Sequence, residues 1–309
     1  MSIEGSVPPW LIGVWERRYI RSSDVPNAPD AIEQLGPEDC SATVRYLQAP
    51  RLFFDIRVPT ARPAGKLGPG GVGGASVEEL RGLLDTGSGE SFAGAAEVWV
   101  RDNGEERVHW HSALSSWPAN DSAKIWAAID SGRHTTSDVG RVEHMGAGRW
   151  FEWGCGRSTF VEEWVNIDEG ASARHCAMRR PGGMLVVVGD WFGFVNDQRP
   201  ASSTAKAVGR AEYVADEGIP LEDKRQFAAG AEYSTGRVSE GWRITLSTLP
   251  WRDGARLDIP ALFVGGSDGC GGWEQVGEVK GMPGEVDEAV LVALGNLPPP
   301  LAAASSSHL

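Results

Sequence analysis

The sequence lacks the marks of several large protein classes. Its four cysteines show no CxxC spacing, and we expect reduced thiols inside a cell. No window approaches the ~18 consecutive apolar residues that a membrane-spanning helix needs. The opening residues, MSIEGSVPPW, carry an acid and two prolines where a signal peptide has a basic and then an apolar run. We therefore predict an intracellular protein that does not enter a membrane.

Positive charge is also scarce. The chain has 29 Lys and Arg against 42 Asp and Glu, which gives a net charge of −13, and it contains no long basic run. Nucleic acids and anionic membrane surfaces attract proteins through clustered positive charge. Neither is an expected partner. The 309 residues, 41% of them hydrophobic, are enough for one large β domain or two smaller ones.

Signatures of nucleotide and metal binding are weak or missing. Gly68 to Gly73 matches GxGxxG, but Pro69 occupies a variable position and no βαβ pattern follows. His109 and His111 lie two residues apart on a predicted strand, where they could ligate a metal or relay protons. No third ligand follows at a diagnostic spacing. We predict no metal and no cofactor, and we consider an acid/base role for the histidines more plausible than a metal site.

The chain is rich in tryptophan and in two-residue alternation. It contains 13 Trp, whose broad rings suit strand surfaces and pocket walls. The stretch from Ser41 to Pro59 predicts a β-hairpin that turns at Ala49 and Pro50. Its second strand alternates between an apolar face and a mixed face, and the mixed face carries Phe53, Asp55 and Arg57.

The rest of the chain predicts short strands with few helices. Asn103 and Gly104 form a strong hairpin turn signal, and Ile125 to Ile129 is predicted as a strand. Ser76 and Glu79 form a capping box at the start of a short helix. The predicted fold is mainly β, with one or two antiparallel barrels. Residues 1–148 and 149–294 are predicted as two related β halves, with a helical insertion at 204–230 and a disordered tail at 295–309.

Short motifs carry a resemblance to a known family. They are the G-x-W at Gly13 to Trp15, SFAG at 91–94, DVGRVE at 138–143, FVEEW at 160–164 and LVVVGDWFGF at 185–194. Together they resemble the fungal casein-kinase-interacting family built from two lipocalin-like barrels, over most of residues 10 to 200. The resemblance implies a calycin-like fold in which Trp15 plugs the closed end and Arg243 or Arg252 packs across its ring. It implies fold better than function.

The candidate site depends on which strand faces line the barrel. If the mixed face of the hairpin and the polar face of the HWH strand both point inward, one cavity contains the four predicted catalytic side chains, Asp55, Arg57, His109 and His111. The predicted substrate-binding residues are Trp15, Tyr46, Trp99, Glu152 and Glu163. In the opposite arrangement these faces meet water or a partner. Strand parity alone does not decide between the two.

Three classes of function remain open from the sequence. The first is a barrel that carries an amphipathic ligand, and the second is a cofactor-free acid/base isomerase, cyclase or lyase acting on a small anionic or aromatic substrate, with Arg57 holding a carboxylate or enolate. The third is a protein-interaction module of the kinase-binding type. The last residues, Ser307-His308-Leu309, are a variant of the Ser-Lys-Leu address and predict a peroxisomal import receptor as partner; otherwise the protein is expected in the cytoplasm.

Overall fold

The structure is a computed structural model, and it describes most of the chain. The described residues are 7–23, 35–61, 74–84, 91–116, 121–133, 138–155, 159–168, 174–199, 213, 216–262 and 272–277. The GxGxxG stretch, most of the predicted insertion at 204–230 before Asp216, and the tail lie outside these residues. No described helix has the length and apolar character needed to cross a bilayer.

Eight antiparallel strands close into a barrel. Each strand pairs with the next along the chain, and β8 pairs with β1 to close the sheet. The strands are β1 (Gly13–Ser23), β2 (Ala42–Gln48), β3 (Leu52–Pro59), β4 (Phe92–Val100), β5 (Glu106–Ser115), β6 (Asp138–Gly146), β7 (Arg149–Gly154) and β8 (Thr159–Asn166). The predicted fold class, mainly β with an antiparallel barrel, is confirmed.

The local sequence explains the tight turns of the barrel. The β2–β3 hairpin pairs Ala42 with Pro59 and Gln48 with Phe53, as the alternation of its two strands predicts. The β4–β5 turn contains Gly104 at φ 82°, a conformation that glycine adopts without strain. The β6–β7 turn places Gly146, Ala147 and Gly148 at positive φ in succession. The predicted boundary between 148 and 149 falls in this turn, between two paired barrel strands.

The remaining strands form an open six-stranded sheet. Its order is β13-β12-β11-β10-β9-β14, and all its pairs are antiparallel. The strands are β9 (His175–Arg180), β10 (Gly183–Val188), β11 (Trp191–Asp197), β12 (Ala231–Arg237), β13 (Arg243–Ser247) and β14 (Glu274–Gln275). The described part of the chain thus contains one closed barrel beside an open sheet.

The open sheet packs on the outside of the barrel. The apolar outer face of β3, formed by Phe54, Ile56 and Val58, joins one buried cluster with Val186 and Tyr233 of the sheet. This burial explains the mixed face of β3. Because its apolar residues turn outward to the second sheet, Phe53, Asp55 and Arg57 turn into the lumen.

The described residues include three helices of eight or nine residues: α1 (Val77–Leu84), α2 (Ser122–Asp130) and α3 (Leu221–Ala229). Ser76 and Glu79 make both hydrogen bonds of the predicted capping box. The strand predicted at Ile125 to Ile129 is wrong, because these residues lie in α2. The Asp121 side chain caps α2 by accepting from the Lys124 N–H, and Trp126 and Ile129 turn its buried face toward the core. A fourth helix, of four residues, spans Ile259–Leu262.

Candidate functional site

The lumen of the barrel contains an aromatic-walled cavity. The cavity and the open solvent at its mouth together occupy about 410 Å³. Polar side chains interrupt the rings on several strands. The lining residues are Tyr46, Phe53, Asp55, Arg57, Phe92, Trp110, Ser112, Asp138, Trp150, Glu152 and Trp164. Both members of the predicted Asp55–Arg57 pair therefore face the lumen, together with Tyr46 and Glu152.

One end of the barrel is closed by tryptophan packing. The Trp15 indole N–H donates to the Leu11 carbonyl over 2.9 Å, and the Trp15 ring meets the edge of Trp150. Val7 and Leu11, just before β1, are buried in the same cluster. Trp15 thus lies at the closed end and does not line the cavity. Arg252, which could have packed across Trp15, instead bonds Glu232 in the second sheet.

A charged network lies on the cavity wall, at the level of Phe92 on the neighbouring strand β4. Arg57 donates from Nε and Nη2 to Asp55 Oδ2 over 3.0 and 2.8 Å. Its Nη1 lies 4.0 Å from Glu162 Oε1, and Glu162 also accepts from Arg17 Nη1 over 2.5 Å. Buried charges must be paired to be tolerated. Both guanidinium groups in this network are therefore engaged by carboxylates.

Glu152 lies directly across the β7–β8 ladder from Glu162. Burial raises the pKa of Glu152 well above its ordinary value of 4.5, and the carboxylates of Glu162, Asp138 and Asp55 raise it further, against a smaller lowering by Arg57. Burial also raises the pKa of Asp55, although Arg57 opposes this effect. The lumen thus holds a carboxyl group that keeps its proton more readily than a solvated one.

A second polar chain runs along the aromatic wall. The Trp110 indole N–H donates to the Tyr46 hydroxyl over 3.0 Å, and the Tyr46 hydroxyl bonds Gln48 Oε1. Gln48 in turn donates to the carbonyl oxygens of Ala49 and Leu52. Burial raises the pKa of Tyr46 well above its ordinary value of 10.0. Tyr46 is therefore a neutral group that is fixed in orientation.

Several buried polar atoms of the lumen have no hydrogen-bond partner among the described residues. They are Oδ1 of Asp55, Oε2 of Glu162, and the indole nitrogens of Trp150 and Trp164. Asp55, Trp150 and Trp164 line the cavity and are at most 5% exposed. Buried polar groups usually have partners, and leaving one unpartnered costs about 1–3 kcal/mol. These atoms mark the cavity as a place where a polar molecule could bind.

The two histidines do not join this cavity. Trp110 and Ser112 of β5 line the lumen, so His109 and His111, at the alternate positions, point to the outside of the barrel. His111 is fully buried there, with its Nε2 3.0 Å from Glu97 Oε1, and His109 stacks on Trp99. The predicted convergence of both imidazoles with Asp55 and Arg57 is therefore corrected.

Two predicted substrate-binding residues also lie outside the lumen. Trp99 is 39% exposed on the outer face of β4. Glu163 precedes the cavity residue Trp164 and points outward, where it accepts from Arg149 over 2.5 Å. Among the predicted substrate-binding residues, Tyr46 and Glu152 line the cavity.

Sequence reasoning missed several residues of the site. Arg17, Glu162, Trp110, Trp150 and Trp164 belong to the lumen but were not predicted to act there. The alternation of β7 and β8 is the signal that could have found the residues of these two strands. Trp150 and Glu152 share one face of RWFEW, and Glu162 and Trp164 share one face of FVEEW. From the sequence, a substrate-binding role is instead predicted for Glu163, the neighbour on the opposite face.

The described residues offer no evident metal centre. No group of three His, Cys, Asp or Glu side chains within those ranges is placed to hold a metal ion. The lumen carboxylates are engaged by guanidinium groups or oppose each other across a ladder. What the arrangement can do chemically is bind a small molecule against aromatic rings and exchange a proton with it.

Comparisons with known proteins add little to this geometry. No protein-family model matches the chain, and a search of curated proteins finds no match. The solved structure of an uncharacterised protein from Saccharomyces cerevisiae is similar, with 11% identity and a TM-score of 0.43, over 76% of this chain and 84% of that one. A likeness this weak carries no argument about fold or function.

The raised pKa of Glu152 makes a prediction about stability and pH. A carboxyl group whose pKa is raised by folding stabilises the fold below its unfolded pKa, and this contribution is lost as pH rises through the folded pKa. Replacing Glu152 with Gln should therefore flatten the decline in the free energy of unfolding above pH 4.5. We expect the stability of the variant relative to wild type to increase as pH is raised from about 5 to about 8.

Urea unfolding across this pH range measures the effect. Glu143 lies on β6 with its side chain exposed, so Glu143→Gln removes a carboxylate of the barrel exterior and serves as the matched control. Its pH profile should follow wild type. Parallel profiles for Glu152→Gln and wild type would show that Glu152 titrates like a solvated acid.

Proposed function

We propose that this protein binds a small organic molecule inside the barrel. One observation carries the proposal: buried polar atoms of Asp55, Trp150 and Trp164 lack partners on the wall of an aromatic cavity. Ligand pockets typically combine apolar walls with a few convergent polar groups. A ligand that offers hydrogen-bond acceptors to the indoles and a donor to Asp55 would remove the cost of these unpartnered atoms.

Among the described residues, the cavity is open at the end away from Trp15. The end near Trp15 is packed, whereas Asp138 is exposed and Phe92 and Ser112 are half-buried at the opposite end. Asp55 pairs with Phe92 across the β3–β4 ladder, so a molecule that enters beside these residues meets Asp55 and Arg57 before it reaches Phe53 and the stacked indoles of Trp150 and Trp164. The rings suit a flat or aromatic body, since offset and edge contacts between rings stabilise such packing.

Filling the entrance should abolish binding. Ser112→Phe places a ring in the mouth, and we expect retention of the bound molecule to fall by roughly tenfold or more, which corresponds to about 1.4 kcal/mol. The measurement is native mass spectrometry of the purified protein after incubation with a metabolite extract. Val100→Phe, at a position 66% exposed on β4, is the matched control. If Ser112→Phe retains the same compounds as wild type, the lumen is not the binding site.

A second candidate is a cofactor-free acid/base enzyme in the same cavity. The raised pKa of Glu152, caused by burial and by facing Glu162, supports it, because a general acid must hold a proton near neutral pH. In this proposal Glu152 gives a proton to the substrate, Asp55 accepts one, and Arg57 holds Asp55 in place. Isomerisation, cyclisation or elimination by a lyase needs no more than this.

Carrier and enzyme differ in what happens to a retained compound. An enzyme changes its mass or its absorbance during incubation, and Glu152→Gln should stop this change while leaving binding measurable. A carrier releases the compound unchanged. Wild-type protein that retains a compound without converting it would favour the carrier.

The resemblance found in the sequence supports a lipocalin-like version of the proposal. The order of the strands β1 to β8 around the barrel and the position of Trp15 at the packed end agree with this version. The interaction-module alternative of the kinase-binding type would use the exterior, where Trp99 and Val100 are exposed. Peroxisomal import through Ser307-His308-Leu309 stays a prediction, since these residues lie outside the described ranges.

A further inference from the structure

The charges that face the lumen are not balanced. In the described part of the barrel, four carboxyl groups lie on the cavity wall or in the charged network beside it: Asp55, Asp138, Glu152 and Glu162. Two guanidinium groups oppose them, Arg57 on Asp55 and Arg17 on Glu162. Once these two pairs are formed, the carboxyl groups of Glu152 and Asp138 have no guanidinium partner in the described part of the cavity.

We propose that the molecule bound in this lumen is a small organic cation, a protonated amine or quaternary ammonium group on an aromatic or apolar body. The inference rests on the proposed function, since it names the chemical class that the same cavity accepts. A cation near Glu152 and Asp138 supplies the charge that the two guanidinium groups leave unbalanced.

The aromatic wall suits the same ligand. Tyr46, Trp110, Trp150 and Trp164 line the cavity with the ring types that attract cations most strongly. Trp150 and Trp164 stack with centroids 5.4 Å apart, and the Tyr46 ring meets both of them within 6.3 Å. Cations held against such faces gain more where water is excluded. The rings and the excess carboxylates therefore act on the same kind of ligand.

An anionic ligand fits this site less well. The sequence suggested that Arg57 would hold a carboxylate or enolate of the substrate. In the structure the Arg57 fork already donates to Asp55, and its remaining nitrogen approaches Glu162. A bound anion would have to displace these partners and would also face Glu152 and Asp138. Like charges brought together in a buried site are strongly unfavourable.

The proposal links binding to a proton. A cation favours the charged form of a nearby carboxyl group, so binding should release a proton from Glu152, and affinity should rise as pH rises through the pKa of that group. In the described part of the barrel, the charged and titratable side chains near Glu152 come from five other strands. They are Arg17 on β1, Tyr46 on β2, Asp55 and Arg57 on β3, Asp138 on β6 and Glu162 on β8.

Three probes of nearly equal shape test the charge preference. Benzylammonium, benzyl alcohol and benzoate share one ring and differ in the charge of the attached group. Titration calorimetry of the full chain measures their affinities, and buffers with different heats of ionisation measure proton release. We expect benzylammonium to bind roughly tenfold or more tightly than benzyl alcohol, benzoate to bind most weakly, and the cation to release protons.

Variants tie the effect to the named groups. Glu152→Gln should weaken benzylammonium roughly tenfold at the alkaline end of the range, and the loss should shrink at acidic pH, where wild-type Glu152 is also protonated. Benzyl alcohol affinity should change little. Glu143→Gln is the control for a carboxylate on the outer face of β6, and Ser112→Phe should remove binding of all three probes.

The outcomes separate this inference from the proposed function. Tighter binding of benzoate than of benzylammonium, or equal binding of all three with sensitivity to Ser112→Phe, would overturn the cation while keeping the lumen as a binding site. Binding of benzylammonium that ignores Ser112→Phe places it on the acidic exterior and overturns the inference. If no probe binds and no compound from the extract is retained, both proposals fail.

Discussion

Replacement of Arg57 by Met should destabilise the protein by about 3 kcal/mol, because breaking a buried ion pair from one side costs about 3–5 kcal/mol. Arg57 donates twice to Asp55 and approaches Glu162. Without it, these two carboxylates and Glu152 face one another in the lumen. The lower end of the range applies since 25% of the Arg57 side chain is exposed. Urea unfolding at neutral pH measures the loss.

A second variant and a control test the reason for this loss. Adding Asp55→Asn to Arg57→Met removes the charge left unpaired, so the double variant should be more stable than Arg57→Met alone. Arg21→Met breaks an exposed pair with Glu38, whose side chain is 50% exposed, and should cost less than about 1 kcal/mol. Equal losses for Arg57→Met and Arg21→Met would mean that the lumen network is solvated.

Phe54→Ala should destabilise the protein by about 3–5 kcal/mol, the usual cost of removing a buried phenylalanine side chain. Phe54 is fully buried between the barrel and the second sheet, where its ring stacks on Tyr233. Its loss leaves a cavity in the layer that joins the two sheets. Phe151→Ala, on the outer and half-buried side of β7, is the matched control and should cost about 1 kcal/mol.

Gly193 provides the complementary change at the same contact. A Cβ added at Gly193 would lie 2.5 Å from Phe54 Cγ, so Gly193→Ala should destabilise by about 1–3 kcal/mol through overpacking. In the double variant the new methyl group enters the space that Phe54 vacates. The loss of stability in the double variant should therefore be smaller than the sum of the losses in the two single variants. Strict additivity would show that the sheet and the barrel do not depend on this contact.

The hairpin of β2 and β3 shows how much of the fold could be predicted. Its alternation predicts the two strands, the turn and the two faces, and the structure contains this hairpin. The period of two is a local property, so it can be read from neighbouring residues. Which face points inward depends on the distant strands β10 to β12 that bury Phe54, and no local signal contains this information.

The histidines of β5 also could not be placed inside or outside the barrel from the local sequence. His109 and His111 share a polar face, and a polar face can line a wet cavity or lie on the exterior. In the structure Trp110 takes the lumen position, because it donates to Tyr46 across the barrel. Asp55 and Arg57 line the lumen, whereas the two imidazoles lie outside it.

The helix α2 illustrates a third kind of limit. Ile125 to Ile129 is short and apolar, and such a run does not distinguish a strand from a buried helix by periodicity. The Asp121 cap, four residues earlier than Ile125, was the local signal for a helix start. The residues that complete the site, Arg17 and Glu162, are far apart in sequence and meet only because β8 pairs with β1.

The packed tryptophans at the Trp15 end close that end of the barrel. In the described part of the chain, the way out of the lumen then lies at the opposite end, beside Phe92 and Asp138. For any molecule bound in the lumen, entry and release would then use the same route, and differences in affinity between such molecules would appear mostly in the rate of release. Exchange of one occupant for another requires that the first leave before the second can enter.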